Sequence, residues 1–211
     1  MTDSDRAEDG QDPLADVPDW DDEYVDRVSD RLLHNYDLER DRSVRGHRFT
    51  LYGRLAIERR KQFLHPSVTY GDHQTTEHLF LKRADGVSVA EMERLSALGD
   101  ELADVWVEPD EEHFGTEFVF GVVSPEIPTA VREFVADFEQ RTLLKYGYHG
   151  HYTVRLFVVA PEREASVASP ETDVVRAFRL WDDGDRDGNG NGSDGRGGVF
   201  ERLRGAFSRR S

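Results

Sequence analysis

Residues 113–138, HFGTEFVFGVVSPEIPTAVREFVADF, decide the fold because they join a strand pattern directly to a helix start. Over 113–123 the large apolar side chains alternate with the two-residue period of a strand. The predicted buried face carries Phe114, Phe118, Phe120 and Val122. Ser124-Pro125-Glu126 then has the residue types of a helix N-cap and its first two positions, so a helix is predicted to about residue 144. That helix would bury Ile127, Val131, Phe134, Val135 and Phe138.

The same two patterns recur on both sides of this stretch. Further helices are predicted from Asp19 to Tyr36, from the capping box Ser88–Glu91 to about residue 105, and from Ser169 to Trp181. Strands are predicted at 46–58, 78–83 and 151–160, with a weaker one near 38–44. A hairpin followed by alternating helices and strands favours the α+β class. The expected fold is a two-layer sandwich with a mostly antiparallel sheet of about 4–5 strands and helices on one face.

Composition divides the chain into four segments. Residues 1–18 are predicted to be a disordered acidic tail, and residues 19–181 a single α+β domain. Residues 182–198, rich in Gly, Asp and Asn, are predicted to be a flexible linker. Residues 199–211 form a basic amphipathic peptide.

The charge is acidic and unevenly spread. The chain has 43 Asp and Glu against 27 Lys and Arg, and only three of the 27 are Lys. Residues 1–30 alone carry 12 acidic and two basic side chains. This acidic, Lys-poor and Arg-retaining composition resembles the small cytoplasmic proteins of salt-loving archaea, in which multimolar salt screens repulsion within about 3 Å. The resemblance rests on composition and implies a habitat.

Several functional classes are disfavoured by the composition. The absence of Cys excludes disulfides, zinc–thiolate sites and a Cys nucleophile. A net charge of −16 makes nucleic acid an unlikely partner. No nucleophile elbow or phosphate loop occurs, so the sequence offers no catalytic signature and implies no cofactor. With neither an apolar leader nor a membrane-length apolar run, we expect a cytoplasmic protein, with peripheral attachment at a membrane as a further expectation.

The C-terminal peptide is the feature that most resembles a recognition element. Drawn as a helix, it places Phe200, Leu203 and Phe207 in one apolar stripe and Arg202, Arg204, Arg209 and Arg210 on the polar side. A glycine-rich linker that ends in such a peptide is typical of a tethered binding segment. The sequence therefore predicts a non-catalytic binding or adaptor protein whose peptide engages a partner protein or an anionic lipid surface. The alternatives are a last helix that docks on its own domain and a disordered tail with chance apolar residues.

The long connection between the first two strong strands is a second candidate site. Residues 59–77 contain Arg59, Arg60 and Lys61, followed by Tyr70 and His73, a set that could contact an anionic ligand. The other interpretation is that both strands run further and leave the charges solvated. Tyr146, Tyr148 and Tyr152, near the third strand, could line a pocket or simply pack.

Histidines supply the alternative function, a small enzyme or metal-dependent ligand-binding domain that uses the 59–78 loop and the 149–151 turn. His149 and His151 share a side if that segment is extended. His73 and His78, with Asp72 or Glu77, could complete a site of two His and one carboxylate. The spacing matches no standard metal motif, and surface histidines remain the other interpretation.

Overall fold

The computed structural model describes residues 20–59, 73–108 and 113–183, which form one seven-stranded sheet with helices packed on it. The strands are β1 Asp37–Val44, β2 His47–Arg59, β3 His73–Arg83, β4 His113–Val123, β5 Gln140–Leu143, β6 His151–Ala160 and β7 Ala165–Ala168. The helices are α1 Glu23–Leu32, α2 Val89–Trp106, α3 Thr129–Ala136 and α4 Val175–Phe178. No helix within these described ranges is long and apolar enough to cross a membrane.

The sheet is mixed, with parallel pairing in its middle. Its strand order is β1-β2-β3-β4-β6, and the far edge of β6 is shared by β5 and β7. The strands β3, β4 and β6 run parallel, because α2 and α3 carry the chain back between them. The other four pairings are antiparallel.

Both faces of the sheet are covered. On the first face, α2 and α3 pack over side chains that include Phe80, Phe120 and Leu156. On the second face, α1 and α4 pack over side chains that include Leu79, Val119 and Phe157. Successive side chains of a strand alternate between faces, so β3, β4 and β6 bury residues on both sides along most of their length.

The predicted fold class is therefore wrong in its architecture. The sheet has seven strands rather than about 4–5, and its helices lie on two faces rather than one. Periodicity identifies a strand but not its neighbour, so parallel pairing through α2 and α3 was not visible in the sequence. The short strands β5 and β7 were missed because four residues give little periodic signal, and β5 lies where the helix from Ser124 was expected to continue.

Individual elements show where local sequence signals prevail. The capping box is confirmed: the Ser88 hydroxyl accepts a hydrogen bond from the Glu91 amide, and α2 runs to Trp106. The strand predicted at 151–160 is confirmed as β6. The helix predicted from Ser124 begins only at Thr129, because Pro128 disfavours helical backbone in the residue before it. Ser169 caps no long helix; its hydroxyl accepts from the Leu156 amide, and α4 is a single turn.

Gly121 gives a test of packing on the second face. A β-carbon at Gly121 would lie 2.1 Å from Cζ of Phe157, which is fully buried and packs against Phe178 at 4.7 Å between ring centroids. Gly121→Ala should therefore lower the free energy of unfolding by about 1–3 kcal/mol. Gly86→Ala is the matched control, because nothing lies within 4 Å of a β-carbon there. Urea unfolding measures both variants, and equal stability of the two would contradict this packing.

Candidate functional site

The amino-terminal ends of the parallel strands bring together the two regions that the sequence singled out. Arg59 pairs with His73, Gln74 with His113, and Gly115 with His151. The 59–77 segment therefore leaves and re-enters the sheet beside the turn that leads into β6. The structure also shows that β3 begins at His73, so the strand extends further into this segment than predicted.

Two glutamates lie side by side at this end, on the second face. Glu77 of β3 and Glu117 of β4 are partners in the parallel register, about 4.8 Å apart by strand spacing. We call them the acidic pair. Further along the same face, Leu79 and Val119 are buried under the helices, whereas both glutamates are half-buried. Within the described ranges, the apolar packing of α1 and α4 on the second face stops before the acidic pair.

Tyr36 bounds the acidic pair on one side. Its hydroxyl donates a 2.6 Å hydrogen bond to Oε1 of Glu77. The ring can lie against β2 because Gly53 has no side chain: a β-carbon there would be 3.1 Å from Cδ1 of Tyr36. The position of Tyr36 is thus set by the glycine in β2 and by the end of α1, where the Tyr36 amide donates to the Leu32 carbonyl.

Cationic side chains bound the acidic pair on the other side. Arg155 donates to the carbonyl of Pro170 at 2.5 Å and to Glu171 at 3.1 Å, which fixes the segment before α4 against β6. His151 lies over Gly115, where a β-carbon would come within 3.2 Å of the imidazole. A guanidinium nitrogen of Arg141 lies 3.4 Å from Nδ1 of His151.

The electrostatics of the pair follow from this setting. Burial raises the pKa of Glu77 to about 7, and the neighbouring Glu117 and Asp173 add to the rise, whereas the Tyr36 hydrogen bond and Arg155 oppose it. Burial also raises the pKa of Glu117, against the opposing effect of Arg155. Near neutral pH the pair can therefore hold a proton, which is how adjacent carboxylates behave when they cannot both ionise freely.

Large apolar side chains are exposed at the same end of the sheet. Tyr146 is 97% and Tyr148 is 87% exposed, and they lie on the turn between β5 and β6. The described residues contain five large exposed apolar side chains: Val105, Phe114, Leu143, Tyr146 and Tyr148. All five lie at this end, on the last turn of α2, the start of β4, the end of β5 and the turn that follows. We call these five residues the exposed rim.

His78 faces the opposite way from the acidic pair. It projects to the first face, where its Nδ1 and the Tyr52 hydroxyl are 2.8 Å apart and its ring stacks on Phe118 at 5.4 Å. Burial, with Arg54 and Arg42 nearby, lowers the pKa of His78 to about 4, so the ring is neutral, and its tautomer decides whether Nδ1 or the Tyr52 hydroxyl donates. Tyr152 packs on this face too and donates to Asp100 at 2.9 Å.

Among the described residues, the structure does not bring the predicted site residues together in one place. His78 and His151 lie on opposite faces, so these two cannot share a metal ion. Arg59 ends β2 and His73 begins β3. Arg60, Lys61, Tyr70 and the C-terminal set Phe200, Arg202, Leu203, Arg204, Phe207, Arg209 and Arg210 lie outside the described residues. Within the described residues, no group of three or more His, Asp or Glu is placed to hold a metal. The metal alternative through His73, His149 and His151 stays a prediction.

One signal in the sequence points to the acidic pair. Glu77 is in phase with Leu79 and Leu81, and Glu117 is in phase with Val119 and Val123, so each charge falls on the buried side of a strand. A carboxylate in phase with a buried face is uncommon unless it is paired or functional. What the sequence could not show is that β3 and β4 are neighbours.

Comparisons with known proteins give a family but no activity. A family model described as Domain of unknown function (DUF8052) matches residues 21–180 of the chain. No curated protein and no solved structure matches the chain. The matched residues include the whole sheet and both residues of the acidic pair.

The acidic pair predicts a pH dependence of stability. The pKa of Glu77 rises from 4.5 in the unfolded chain to about 7 in the fold, so the folded state holds an extra proton between these values. Stability from this group is complete below about pH 4.5 and is lost as the pH rises through about 7, a loss of roughly 1–3 kcal/mol after allowance for partial exposure.

Glu77→Gln keeps the acceptor for Tyr36 but cannot ionise. Urea unfolding at about pH 5 and about pH 8 should therefore show a smaller loss for Glu77→Gln than for the unchanged chain. Equal losses in the two proteins would show that Glu77 ionises as freely in the fold as in water. Glu126→Gln, an exposed glutamate at the other end of the sheet, is the control.

Proposed function

We propose that this chain, which belongs to the family described as Domain of unknown function (DUF8052), is a binding module whose partner contacts the exposed rim. The observation that carries the proposal is the gathering of all five exposed large apolar side chains of the described residues at one end of the sheet. Single exposed apolar residues are ordinary, and it is the gathering of five of them at one end of the sheet that supports an interaction surface there.

The turn that presents the two tyrosines supports the same proposal. Lys145 and Tyr146 both have left-handed backbone, with φ of 46° and 59°, and neither is a glycine. Such a conformation costs about 1–2 kcal/mol per residue. Strain of this kind is typical of functional segments, where it serves to present a side chain. Here the strained residue Tyr146 projects almost entirely into solvent.

Tyrosine suits this role because it offers a large rigid surface with a polar tip. Each aromatic contributes about 1.5–3 kcal/mol if a partner buries it fully. The ordering and orientation costs of association are several kcal/mol, so the rim alone supports only weak binding. A second contact would raise the affinity through effective concentration.

The C-terminal peptide is the second contact that we propose. Residues 199–211 carry four Arg and one Glu, with Phe200, Leu203 and Phe207 in helical register. We propose that they engage a partner protein or an anionic membrane surface, in the cytoplasm or at the membrane periphery. In concentrated salt the apolar contribution should exceed that of the Arg residues, because salt screens charge but strengthens apolar burial.

The second candidate function is acid–base chemistry on a bound ligand. It is favoured by the acidic pair, because one half-buried carboxyl whose pKa is near 7 beside a second carboxylate is suited to donate and accept protons. The two functions separate cleanly: Glu77→Gln with Glu117→Gln removes this chemistry and leaves the exposed rim intact.

The exposed rim is tested by recovery of partners from cell extract with the full chain as bait. Tyr146→Ser with Tyr148→Ser should reduce recovery of specific partners at least about tenfold, because both side chains lose their apolar surface. Arg48→Ser with Glu126→Ser is the matched control, since both residues are exposed and lie at the opposite end of the sheet. Unchanged recovery with the tyrosine variant would overturn the rim as a binding surface.

The peptide is tested separately. Phe200→Ala with Phe207→Ala should reduce binding to partner or to anionic vesicles more than Arg209→Gln with Arg210→Gln does, at multimolar salt. Vesicles of neutral lipid distinguish a membrane surface from a protein partner. A larger effect of the Arg pair would mean that the contact is electrostatic, and no effect of either pair would remove the peptide from the proposal.

A further inference from the structure

The acidic end of the second face has a candidate occupant within the chain itself. We infer that residues 199–211 dock across this surface, with their Arg side chains over the acidic pair and their apolar side chains toward the exposed rim. Docking of this kind holds the peptide on its own domain when no partner is bound. The inference does not depend on the proposed function of the rim, because it concerns a contact within one molecule.

Charge complementarity is the first argument. The carboxyl groups of Glu171 and Asp173 lie near the acidic pair, as do the guanidinium groups of Arg155 and Arg141. Arg155 is paired with Glu171, and a third guanidinium group, that of Arg176, is paired with Asp173. Four carboxyl groups against three guanidinium groups leave an excess of one negative charge when all four carboxyl groups are ionised. Residues 199–211 carry a net charge of +3, the opposite sign, on a chain that is otherwise strongly acidic.

The state of Glu117 strengthens this argument. Glu77 accepts a hydrogen bond from Tyr36, and the two terminal nitrogens of Arg155 donate to Pro170 and Glu171, whereas its buried Nε has no partner among the described residues. Within the part of the chain that the structure describes, the backbone of Glu117 is paired with β3 and β6, but its carboxyl group is not among the hydrogen-bonded side chains. A half-buried carboxylate beside a second one is costly, and a guanidinium offsets that cost with two parallel hydrogen bonds.

Size and apolar surface give the second argument. Leu55 of β2 is half-buried and is paired with Glu77 of β3. Leu143 of β5 is 58% exposed and is paired with His151 of β6. From β2 to β5 the sheet is five strands wide, which is about 19 Å. Thirteen residues as a helix span about 20 Å. A helix of residues 199–211 laid across the strands would therefore reach from Leu55 to Leu143.

The place where the described chain ends gives the third argument. Leu180 and Trp181 pack with the second-face cluster, so the chain leaves the domain on the same face as the acidic pair. Arg31 of α1 donates to the carbonyls of Ala177 and Arg179, and Tyr36, five residues later, reaches Glu77. A glycine-rich coil of fifteen residues, the length of 184–198, spans about 20 Å, which is comparable with the width of the sheet from β2 to β5.

The absence of cysteine makes a direct test simple. A nitroxide attached to Ser211→Cys labels one defined site in the full chain. Docking should broaden the amide resonances of Thr75, Glu117 and Thr153. Their intensities should fall to less than about half of those in a sample whose nitroxide has been reduced. The amides of Asp85 and Gly86, at the other end of the sheet, should keep theirs.

Two sets of variants test the chemistry, each checked for unchanged chemical-shift dispersion. Arg204→Glu with Arg209→Glu should abolish the local broadening, and Glu77→Gln with Glu117→Gln should weaken it. Asp85→Asn with Glu126→Gln, which removes two acids at the opposite end, is the matched control and should leave the broadening unchanged.

The remaining outcomes contradict the inference. If the broadening is absent, or if it is equal on all faces of the domain, the peptide does not dock on its own domain. Broadening that appears in a mixture of nitroxide-labelled chain and isotope-labelled chain without nitroxide means that the occupant is the peptide of a second copy. Broadening that survives both variant pairs means that the acidic pair is not the docking surface.

Discussion

The parallel pairing of β3, β4 and β6 is the constraint on which the rest of the structure depends. Parallel strands need crossover segments between them, and α2 and α3 fill that role on the first face. Three central strands then present apolar side chains on the other face as well, and α1 and α4 cover that second layer. The antiparallel strands β1, β5 and β7 extend the sheet at its two margins.

The same parallel pairing brings the two glutamates of the acidic pair together. In an antiparallel or shifted arrangement Glu77 and Glu117 would not be partners, and each could be neutralised separately. Parallel register instead puts them side by side on a face that is otherwise buried. Glycines on either side make the remaining geometry possible: Gly53 admits the ring of Tyr36, and Gly115 admits that of His151.

Local signals in the sequence predicted elements well and their assembly poorly. The cap at Ser88 and the alternation at 151–160 are short-range features, determined by a few neighbouring residues, and both are found in the structure. The extent of the helix after Ser124 was misjudged because Pro128 outweighs a favourable N-cap. Strand partners depend on contacts between residues about 40 positions apart, such as Glu77 with Glu117, and no local pattern encodes them. The sequence located the candidate site at the 59–77 segment and the 149–151 turn, but it did not identify Glu77 and Glu117 as its central residues.

The position of the site at the amino-terminal strand ends runs against the usual rule for parallel sheets. Ligands in open α/β sheets bind outside the carboxyl ends, where strand order reverses and a crevice opens. Here the order β3-β4-β6 proceeds in one direction through both crossovers, so no reversal occurs among these strands. The carboxyl ends are also tied together: the Ala84 amide donates to the Val123 carbonyl, and the Ser124 amide donates to that of Val159.

The hydrogen bonds at the carboxyl ends leave the amino-terminal ends as the place where we propose recognition. At the carboxyl ends Lys82 pairs with Glu91 at the start of α2, and Arg163 reaches the Pro125 carbonyl. These contacts satisfy the charged groups and the carbonyl that they join, whereas the buried hydroxyl of Ser124 has no partner among the described residues. At the amino-terminal ends the acidic pair and the exposed rim lie close to one another with much of their polar and apolar surface uncovered by the described helices. A domain built this way has one end tied together by hydrogen bonds and one end that is less covered, so the binding that we propose at the second end need not disturb the sheet that supports it.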